Sequence, residues 1–239
     1  MKKIISYAVV IAIFIGIGLG VKRYVQGPGQ PVDGILVSGT ATEVEKAKEA
    51  FKEDMKKSID YKVKYVITTK EIQFSEEDKQ EELNDEDKIS TNEYTVISNS
   101  TAVKLFNKGL LRARKDPNSA STISEMVKDK NKVSSDQNLL FSYGDGYMEN
   151  NQVNLNGKMI PVKYVKQQIW IGYAPMDLVI LKDQDYNMLS EPESIMRLIQ
   201  FKKRNFDYKN KQEVAKVLKE LNKTSPISEK KINFVEVQD

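Results

Sequence analysis

The sequence predicts an α+β protein in which one N-terminal transmembrane helix precedes an exported domain with a mostly antiparallel sheet and two C-terminal helices. Three observations support this fold class. An uncharged apolar run lies near the N-terminus, and short alternating segments separated by turn residues fill the middle of the chain. Two amphipathic patterns with capping residues lie near the C-terminus.

Residues 4–21 carry no charged side chain, and Lys2, Lys3, Lys22 and Arg23 flank them. A helix of this length, at about 1.5 Å per residue, is just long enough to cross the hydrocarbon core of a bilayer. We expect an uncleaved signal anchor, because no Ala-x-Ala cleavage motif follows the run. A cleaved signal peptide and a buried core helix are the alternatives. The short N-terminal end is expected to stay in the cytoplasm, with the C-terminal domain outside it.

Gly16 and Gly20 form a GxxxG pair within the apolar run. Such pairs allow two helices to pack closely in a bilayer, so these glycines are candidate residues for self-association. The alternative is that they have no specific role, because glycine is common in membrane helices.

The composition excludes several classes of chemistry. The 239 residues contain no cysteine and no histidine, which excludes a Ser-His-Asp triad, a cysteine nucleophile, a disulfide and the usual zinc sites. A lipid attached through cysteine is excluded for the same reason. Of the 37 basic residues, four flank the apolar run, which leaves 33 against 34 acidic residues. A nearly neutral body argues against nucleic acid as a partner, and we expect no cofactor and no metal.

The predicted organisation has three parts. Residues 1–25 form a short cytoplasmic stub and the transmembrane signal anchor, residues 26–34 form a linker rich in glycine and proline, and residues 35–239 form the extracytoplasmic α+β domain. A sub-boundary is possible in the acidic loop 75–90, because Glu71–Glu93 contains ten acidic residues. We interpret this loop as solvated, and binding of a cation or a basic partner is the alternative.

The first unit of the domain is predicted to be strand–helix–strand. Residues 35–37 are a brief strand, and Thr42 with Glu45 forms a capping box that opens a helix. Residues 61–74 alternate as a strand whose apolar phase changes near its end, which indicates a bulge or strong twist. Residues 94–111 carry a further extended pattern.

The middle of the chain contains the clearest hairpin signals. Residues 139–147 are predicted to form one hairpin, and residues 153–160 form a second across an Asn-Gly turn. Pro161 favours an edge position for the strand that follows that turn. Residues 178–181 and 232–237 are further strands.

Three capping motifs predict helices towards the C-terminus. Thr122 opens a short helix, while Ser190 with Glu193 and Asn210 with Glu213 open the two C-terminal helices. The expected core-facing residues of these two helices are Ile195, Leu198, Ile199, Val214, Val217, Leu218 and Leu221.

Carboxylates are the catalytic groups that the composition leaves. Glu149, Glu191 and Glu193 are candidates for the pair of acids that a glycan hydrolase requires. Asp183 and Asp185 have the spacing of calcium ligands, but the glycine and the bidentate glutamate of a calcium loop are missing downstream. We therefore predict no catalytic residue and no metal ligand.

Candidate interaction residues come from two places. Trp170 lies in an aromatic-rich strand and is a possible platform for a ligand or peptide. Lys202, Lys203 and Arg204 begin a basic stretch, Gln200–Lys231, which contains ten basic and four acidic residues. A solvated helix face is the alternative interpretation of that stretch.

These features favour a membrane-anchored, non-catalytic binding or scaffold protein of an envelope-associated complex. The expected partners are the bilayer and a protein of the cell envelope, with possible self-association. The order of one N-terminal span and one exported domain is similar to that of scaffold subunits in secretion and transfer machines. An immunity or inhibitor protein that binds an exported toxin or enzyme is one alternative, and a carboxylate-dependent hydrolase of cell-wall glycan is the other.

Overall fold

The computed structural model describes residues 29–71, 89–118, 123–144, 148–224 and 227–238. The helices in these ranges are α1 (Ala41–Ala50), α2 (Asn99–Asn107), α3 (Asp183–Asn187) and α4 (Lys211–Thr224). The strands are β1 (Pro31–Val32), β2 (Gly34–Gly39), β3 (Met55–Glu71), β4 (Ile89–Ser98), β5 (Leu111–Arg114), β6 (Ser124–Met126), β7 (Leu139–Phe141), β8 (Met148–Glu149), β9 (Gln152–Leu155), β10 (Lys158–Pro161), β11 (Lys163–Tyr164), β12 (Ile169–Ile171), β13 (Asp177–Leu181), β14 (Ser194–Phe201), β15 (Phe206–Asp207) and β16 (Ile232–Val235).

Eight of these strands form the main sheet, in the order β11-β7-β13-β4-β3-β14-β2-β16. Pairing is antiparallel except between β4 and β13 and between β7 and β11. Two three-stranded sheets, β10-β9-β8 and β12-β5-β6, and the short pair β1-β15 complete the described strands. The molecule is therefore a mixed α+β protein that is mostly sheet.

β3 holds the main sheet together, because it pairs with β14 along its first half and with β4 along its second. Tyr61 and Val63 are buried, and then Lys64, Val66 and Thr68 are buried instead. The side chains that face the core therefore change from odd to even positions at Val63 and Lys64, where the pairing partner also changes. A phase change was predicted in this strand, but it occurs well before the predicted place.

Lys64 occupies the position where the buried face of β3 changes. Its side chain is buried, and its Nζ donates hydrogen bonds to the carbonyl oxygens of Tyr186 at 3.0 Å and Leu189 at 2.7 Å. The same ammonium lies 4.8 Å from the centre of the Tyr186 ring. Carbonyls at the C-terminal end of a helix attract a cation, so Lys64 fixes the end of α3 against β3.

The strand–helix–strand unit at the start of the domain has a capping box two residues before the predicted one. The Oγ1 atom of Thr40 accepts a hydrogen bond from the Glu43 amide at 3.3 Å, and the Glu43 carboxylate accepts one from the Thr40 amide at 2.7 Å. Glu45, the predicted capping partner, instead binds Arg197 on β14. Arg197 also binds the Asp60 carboxylate, with Nε–Oδ1 at 2.6 Å, and thereby joins α1, β14 and β3.

α4 is present as predicted. The Asn210 Oδ1 atom accepts hydrogen bonds from the amides of Gln212 at 3.2 Å and Glu213 at 3.4 Å, which satisfies the first turn. Val217 and Leu221 are buried in a cluster with residues of β2, β14 and β16. The other two predicted core positions, Val214 and Leu218, are only partly buried.

The predicted fold class is wrong in having two C-terminal helices, because the first of them is β14. This strand lies between β3 and β2 in the main sheet, and it is covered on both faces. Met196 and Leu198 face one apolar cluster while Ile199 and Phe201 face the other. A strand buried on both faces carries apolar residues at spacings that also fit one side of a helix, which explains the error.

Three further predictions are corrected in the middle of the chain. Residues 124–126, predicted as part of a helix opened by Thr122, form β6, and Thr122 itself lies outside the described residues. The extended pattern of residues 94–111 is interrupted by α2. β7 pairs with β13 and β11, whereas β8 pairs with β9, so residues 139–147 do not form the predicted hairpin. The Asn-Gly hairpin of β9 and β10 is confirmed, with positive φ at Asn156 and Gly157, and β10 is an edge strand as Pro161 indicated.

The predicted fold class also requires correction at its N-terminal transmembrane helix. Across the described ranges, no helix is sufficiently long and apolar to span a bilayer. Residues 4–21 themselves lie outside the described residues, as do positions 72–88 of the acidic loop. Pro31 and Val32, assigned above to the linker 26–34, form a strand that pairs with β15.

We predict that Leu221→Ala lowers the free energy of unfolding by about 2 to 5 kcal/mol, because Leu221 is fully buried and no neighbouring group fills the cavity. Leu218→Ala makes the same chemical change at a partly buried position of the same helix and should lower it clearly less. Urea unfolding of both variants measures the difference. Equal losses would show that α4 is not packed as described.

Candidate functional site

A polar cleft opens where β7, β10 and the β13–α3 connection meet. Its volume is about 490 Å³. The side chains around it carry amides and both signs of charge, and the surface that they expose is more apolar than polar. They are Asp136, Gln137, Asn138, Asn151, Pro161, Val162, Lys163, Lys182 and Asp185.

Asn138 organises this cleft, because its buried amide group joins three separate segments. Its Nδ2 donates hydrogen bonds to the Pro161 carbonyl oxygen at 3.0 Å and to the Asp185 carboxylate at 2.9 Å. Its Oδ1 accepts a hydrogen bond from the Lys182 amide at 2.8 Å. A buried amide with three partners holds its surroundings rigidly, because moving any partner leaves a buried polar group unsatisfied.

The opposite wall of the cleft is built on an unusual turn. Asn150 and Asn151 have φ angles of 50° and 58°, which asparagine adopts more readily than most residues. The Asn151 carbonyl oxygen accepts a hydrogen bond from the Val162 amide at 3.0 Å, so the turn is fixed to the floor of the cleft. The asparagine pair is a sequence signal for the turn at this site, and Asp185, singled out above by its spacing, also lines the cleft.

The cleft carries charges of both signs, of which one opposite pair is in contact. The Lys182 ammonium lies 3.7 Å from the Asp185 carboxylate, and the side chains of Lys163 and Asp136 are exposed. Such a lining can receive a ligand that carries both charges or many amide groups, such as a segment of polypeptide. It does not resemble a site for one simple ion.

The strands beside the cleft do not favour pairing with an added strand. β10 lies at the edge of its three-stranded sheet, and β11 lies at the edge of the main sheet. Pro161 ends β10 without an amide hydrogen, and the exposed Lys158 and Lys163 flank it. Proline and lysine on an edge strand disfavour edge-to-edge pairing, so a ligand would contact side chains rather than extend the sheet.

Trp170, a predicted interaction residue, is fully buried and cannot act as a surface platform. Its indole Nε1 has no hydrogen-bond partner in the described part of the chain. The Arg114 guanidinium lies 5.8 Å from the indole ring and 5.4 Å from the exposed Tyr143 ring. Trp170 therefore supports a buried arginine.

A polar network continues from this arginine to two half-buried residues. Arg114 donates two hydrogen bonds to the Gln168 side-chain oxygen, at 3.2 and 2.7 Å, and Gln168 donates to Asp177 at 3.4 Å. Asn92 donates a further bond to Asp177 at 2.9 Å. Burial raises the pKa of Asp177 above its ordinary value, although hydrogen bonds from Asn92, the Tyr143 amide and Gln168 oppose that change.

The other predicted interaction residues lie in the turn between β14 and β15, away from the cleft. Lys202 and Lys203 are exposed, and Arg204 is half-buried between two carboxylates, with contacts of 2.5 Å to Asp54 and 2.8 Å to Glu220. The structure thus brings Lys202, Lys203 and Arg204 together in one turn, and it does not bring them together with Trp170. Gly16 and Gly20 lie outside the described residues.

None of the candidate catalytic carboxylates lines the cleft. Glu149 is exposed on β8, Glu191 is buried, and Glu193 forms an ion pair with Lys62 at 2.8 Å. Asp183 lies on the short helix α3, where its carboxylate accepts a hydrogen bond from the Ser100 amide at 3.0 Å. Within the described ranges, no group of three or more acidic residues is placed to hold a metal ion.

Residues 32–238 match a family model described as an uncharacterised lipoprotein family. The chain belongs to that family of lipoproteins. A crystal structure of a candidate lipoprotein from Bacillus anthracis is similar to this lipoprotein-family chain, with a TM-score of 0.56 and 17% sequence identity over 86% of this chain and 99% of the other. At that identity the likeness shows the fold alone. No curated protein matches the chain significantly.

Family membership gives this protein a membrane-associated location in the cell envelope. The comparisons do not support the predicted single-pass transmembrane topology or its signal anchor. The sequence nevertheless has no cysteine, so a thioether-linked lipid cannot be attached to any of these 239 residues.

We predict that Asn138→Ala lowers the free energy of unfolding by at least about 2 kcal/mol, because it leaves the Lys182 amide and the Pro161 carbonyl without their buried partner. Asn131→Ala, at an exposed position, is the matched control and should change stability by less than about 0.5 kcal/mol. Urea unfolding monitored by circular dichroism measures both. A change no larger at Asn138 than at Asn131 would contradict the role given to this amide.

We predict that Asp177→Asn changes how stability depends on pH. Because the pKa of Asp177 is raised on folding, the folded chain binds more protons than the unfolded chain at pH values between the two pKa values. The wild type must therefore lose stability as the pH rises through that window, upward from about pH 4, whereas the variant lacks this loss. Urea unfolding from about pH 4 to pH 7 tests the sign. Glu229→Gln, at an exposed acid, is the control, and a wild-type stability that rises with pH relative to that of Asp177→Asn would contradict the assignment.

Proposed function

We propose that this protein is a non-catalytic binding or scaffold protein of an envelope-associated complex, and that the polar cleft receives a segment of a partner protein. The observation that carries the proposal is the way Asn138 fixes three segments, its own included, around a lining of amides and charges of both signs. A site held in one conformation before binding loses little entropy when a partner is ordered against it.

The chemistry of the lining favours a polypeptide partner. Gln137 and Asn151 offer amide donors and acceptors, and Lys163 and Asp136 offer both signs of charge. These groups match a polar loop that carries a basic and an acidic side chain. The proline at the end of β10 favours recognition through side chains over strand addition.

A non-catalytic role is also favoured by the positions of the candidate carboxylates. A glycan hydrolase needs two carboxyl groups facing one cavity, about 5 to 10 Å apart. Glu149, Glu191 and Glu193 do not line the cleft, and the Glu193 carboxylate is engaged by Lys62. In the cleft, the Asp185 carboxylate is engaged by Asn138 and Lys182.

A photo-cross-linker at Gln137 tests the proposal in living cells, with the same group at the exposed Lys128 as the matched control. We expect a discrete adduct with one envelope protein from position 137 and none from position 128. The partner, once purified, should bind Lys163→Gln/Lys182→Gln at least about tenfold more weakly than wild type, because two interfacial charges are lost.

Two results would contradict this function. Equal cross-linking from positions 137 and 128 would show that the cleft has no specific partner. Turnover of cell-wall glycan by the purified protein, abolished by Asp136→Asn with the fold intact, would instead identify a hydrolase.

A further inference from the structure

The start of the domain and three turns lie together at one end of the main sheet. The Gln30 carbonyl accepts a hydrogen bond from the Tyr208 amide, the Asp33 carbonyl from the Phe201 amide and the Asp54 carbonyl from the Lys202 amide, each at 2.7 Å. These hydrogen bonds join the segments into one continuous surface, which we call the basic end. It consists of residues 29–33, the turns 51–54, 202–205 and 208–210, and the first residues of β3 and α4.

Lysine predominates at the basic end. Six of its lysines are exposed: Lys52, Lys56, Lys57, Lys202, Lys203 and Lys211. For Lys57, Lys203 and Lys211, no ion-pair partner is found among the described residues.

The acidic residues at this end are mostly engaged within the domain. The Asp33 carboxylate accepts hydrogen bonds from the Val237 amide at 2.8 Å and the Gln200 side chain at 3.1 Å. Asp54 is paired with Arg204 at 2.5 Å. Asp207 accepts bonds from the amides of Gln30 and Lys209, at 3.2 and 3.0 Å. The donors to Asp33 and Asp207 are neutral and leave both carboxylates charged, but basic side chains outnumber acidic ones at this end, so a net positive charge remains for an external partner.

The same surface has an apolar part. A groove of about 660 Å³ lies beside the first turns of α4, with Tyr208, Val214, Ala215 and Leu218 around it and Lys209 and Lys211 at its margin. Apolar residues bordered by lysine are the pattern with which proteins contact the interface of an anionic bilayer.

We propose that the basic end docks on the surface of an anionic membrane, where its lysines contact lipid phosphates and the groove receives the adjoining apolar part of the interface. Three observations favour an anionic membrane as the partner of the basic end. The protein belongs to a membrane-associated family, the lysines complement anionic lipid, and the chain that leads from the apolar residues 4–21 joins the domain at Gly29 and Gln30, within this surface. The proposal is independent of the partner assigned to the cleft.

The absence of cysteine allows a direct test on the full chain. Asn205→Cys places one fluorescent label in the basic end, and Gln137→Cys places a reference label at the cleft. Each protein is reconstituted into vesicles of phosphatidylcholine alone or with about 30 mol% phosphatidylglycerol, and quenching by neutral acrylamide is measured. We expect protection of the label at 205 only in the anionic vesicles, with loss of protection at about 0.5 M salt.

Charge variants decide whether these lysines are responsible. Lys202→Gln/Lys203→Gln/Lys211→Gln should weaken docking by about fivefold per lysine, or about a hundredfold in total. Lys115→Gln/Lys128→Gln/Lys130→Gln removes the same charge from exposed positions elsewhere and should leave docking unchanged.

Three outcomes would overturn the proposal. The first is equal protection of the label at 205 in neutral and anionic vesicles. The second is an equal loss of docking in the two triple variants. The third is protection that rises with protein concentration when no anionic lipid is present. The last would show that a second copy of the chain, rather than lipid, covers the basic end. A cleft without a partner would leave each of these measurements unaffected.

Discussion

β3 is hydrogen-bonded to β14 along its first half and to β4 along its second, and most other elements are positioned by that division. Where the partner changes, the buried face of the strand changes as well, and Lys64 is placed in the interior. An ammonium in such a position needs acceptors, and the carbonyl oxygens of Tyr186 and Leu189 provide them. This interaction fixes the end of α3, from which the chain turns back into β14.

The local elements whose signals are contained in a few consecutive residues could be predicted from the sequence. The turn at Asn156 and Gly157 requires two positive φ angles, which these residues adopt readily, and it forms in the predicted register. α4 carries an asparagine cap and apolar residues at i, i+3, i+4 and i+7 from Val214, about two turns, and this pattern is typical of a helix. The predictions are wrong where tertiary contacts, rather than local sequence, determine the secondary structure or the partner of a side chain. β14 is buried on both faces, and Glu45 binds Arg197 instead of capping α1.

The candidate site was beyond prediction for a related reason. Asn138, Pro161 and Lys182 are far apart in sequence, and only the pairing of β7 with β13 and β11 brings them together. No motif marks Asn138, whose importance lies in three hydrogen bonds to other segments. Trp170 is the opposite case, a conspicuous residue that does not mark a site. An aromatic residue in a strand is compatible with a core position and with a surface platform, and the sequence does not distinguish the two.

The cleft and the basic end are separate enough to be occupied together. The distance can be followed across the main sheet. Leu181, next to the cleft, pairs with Ser98 of β4, and β4 is antiparallel to β3, where Val96 pairs with Lys64. Ser98 is therefore level with a point on β3 about seven residues from Met55 at the basic end, which is roughly 20 Å at about 3.3 Å per residue. A partner protein in the cleft and lipid at the basic end would therefore not compete. Membrane contact at one end would hold the domain in one orientation and keep the cleft presented to partners in the envelope.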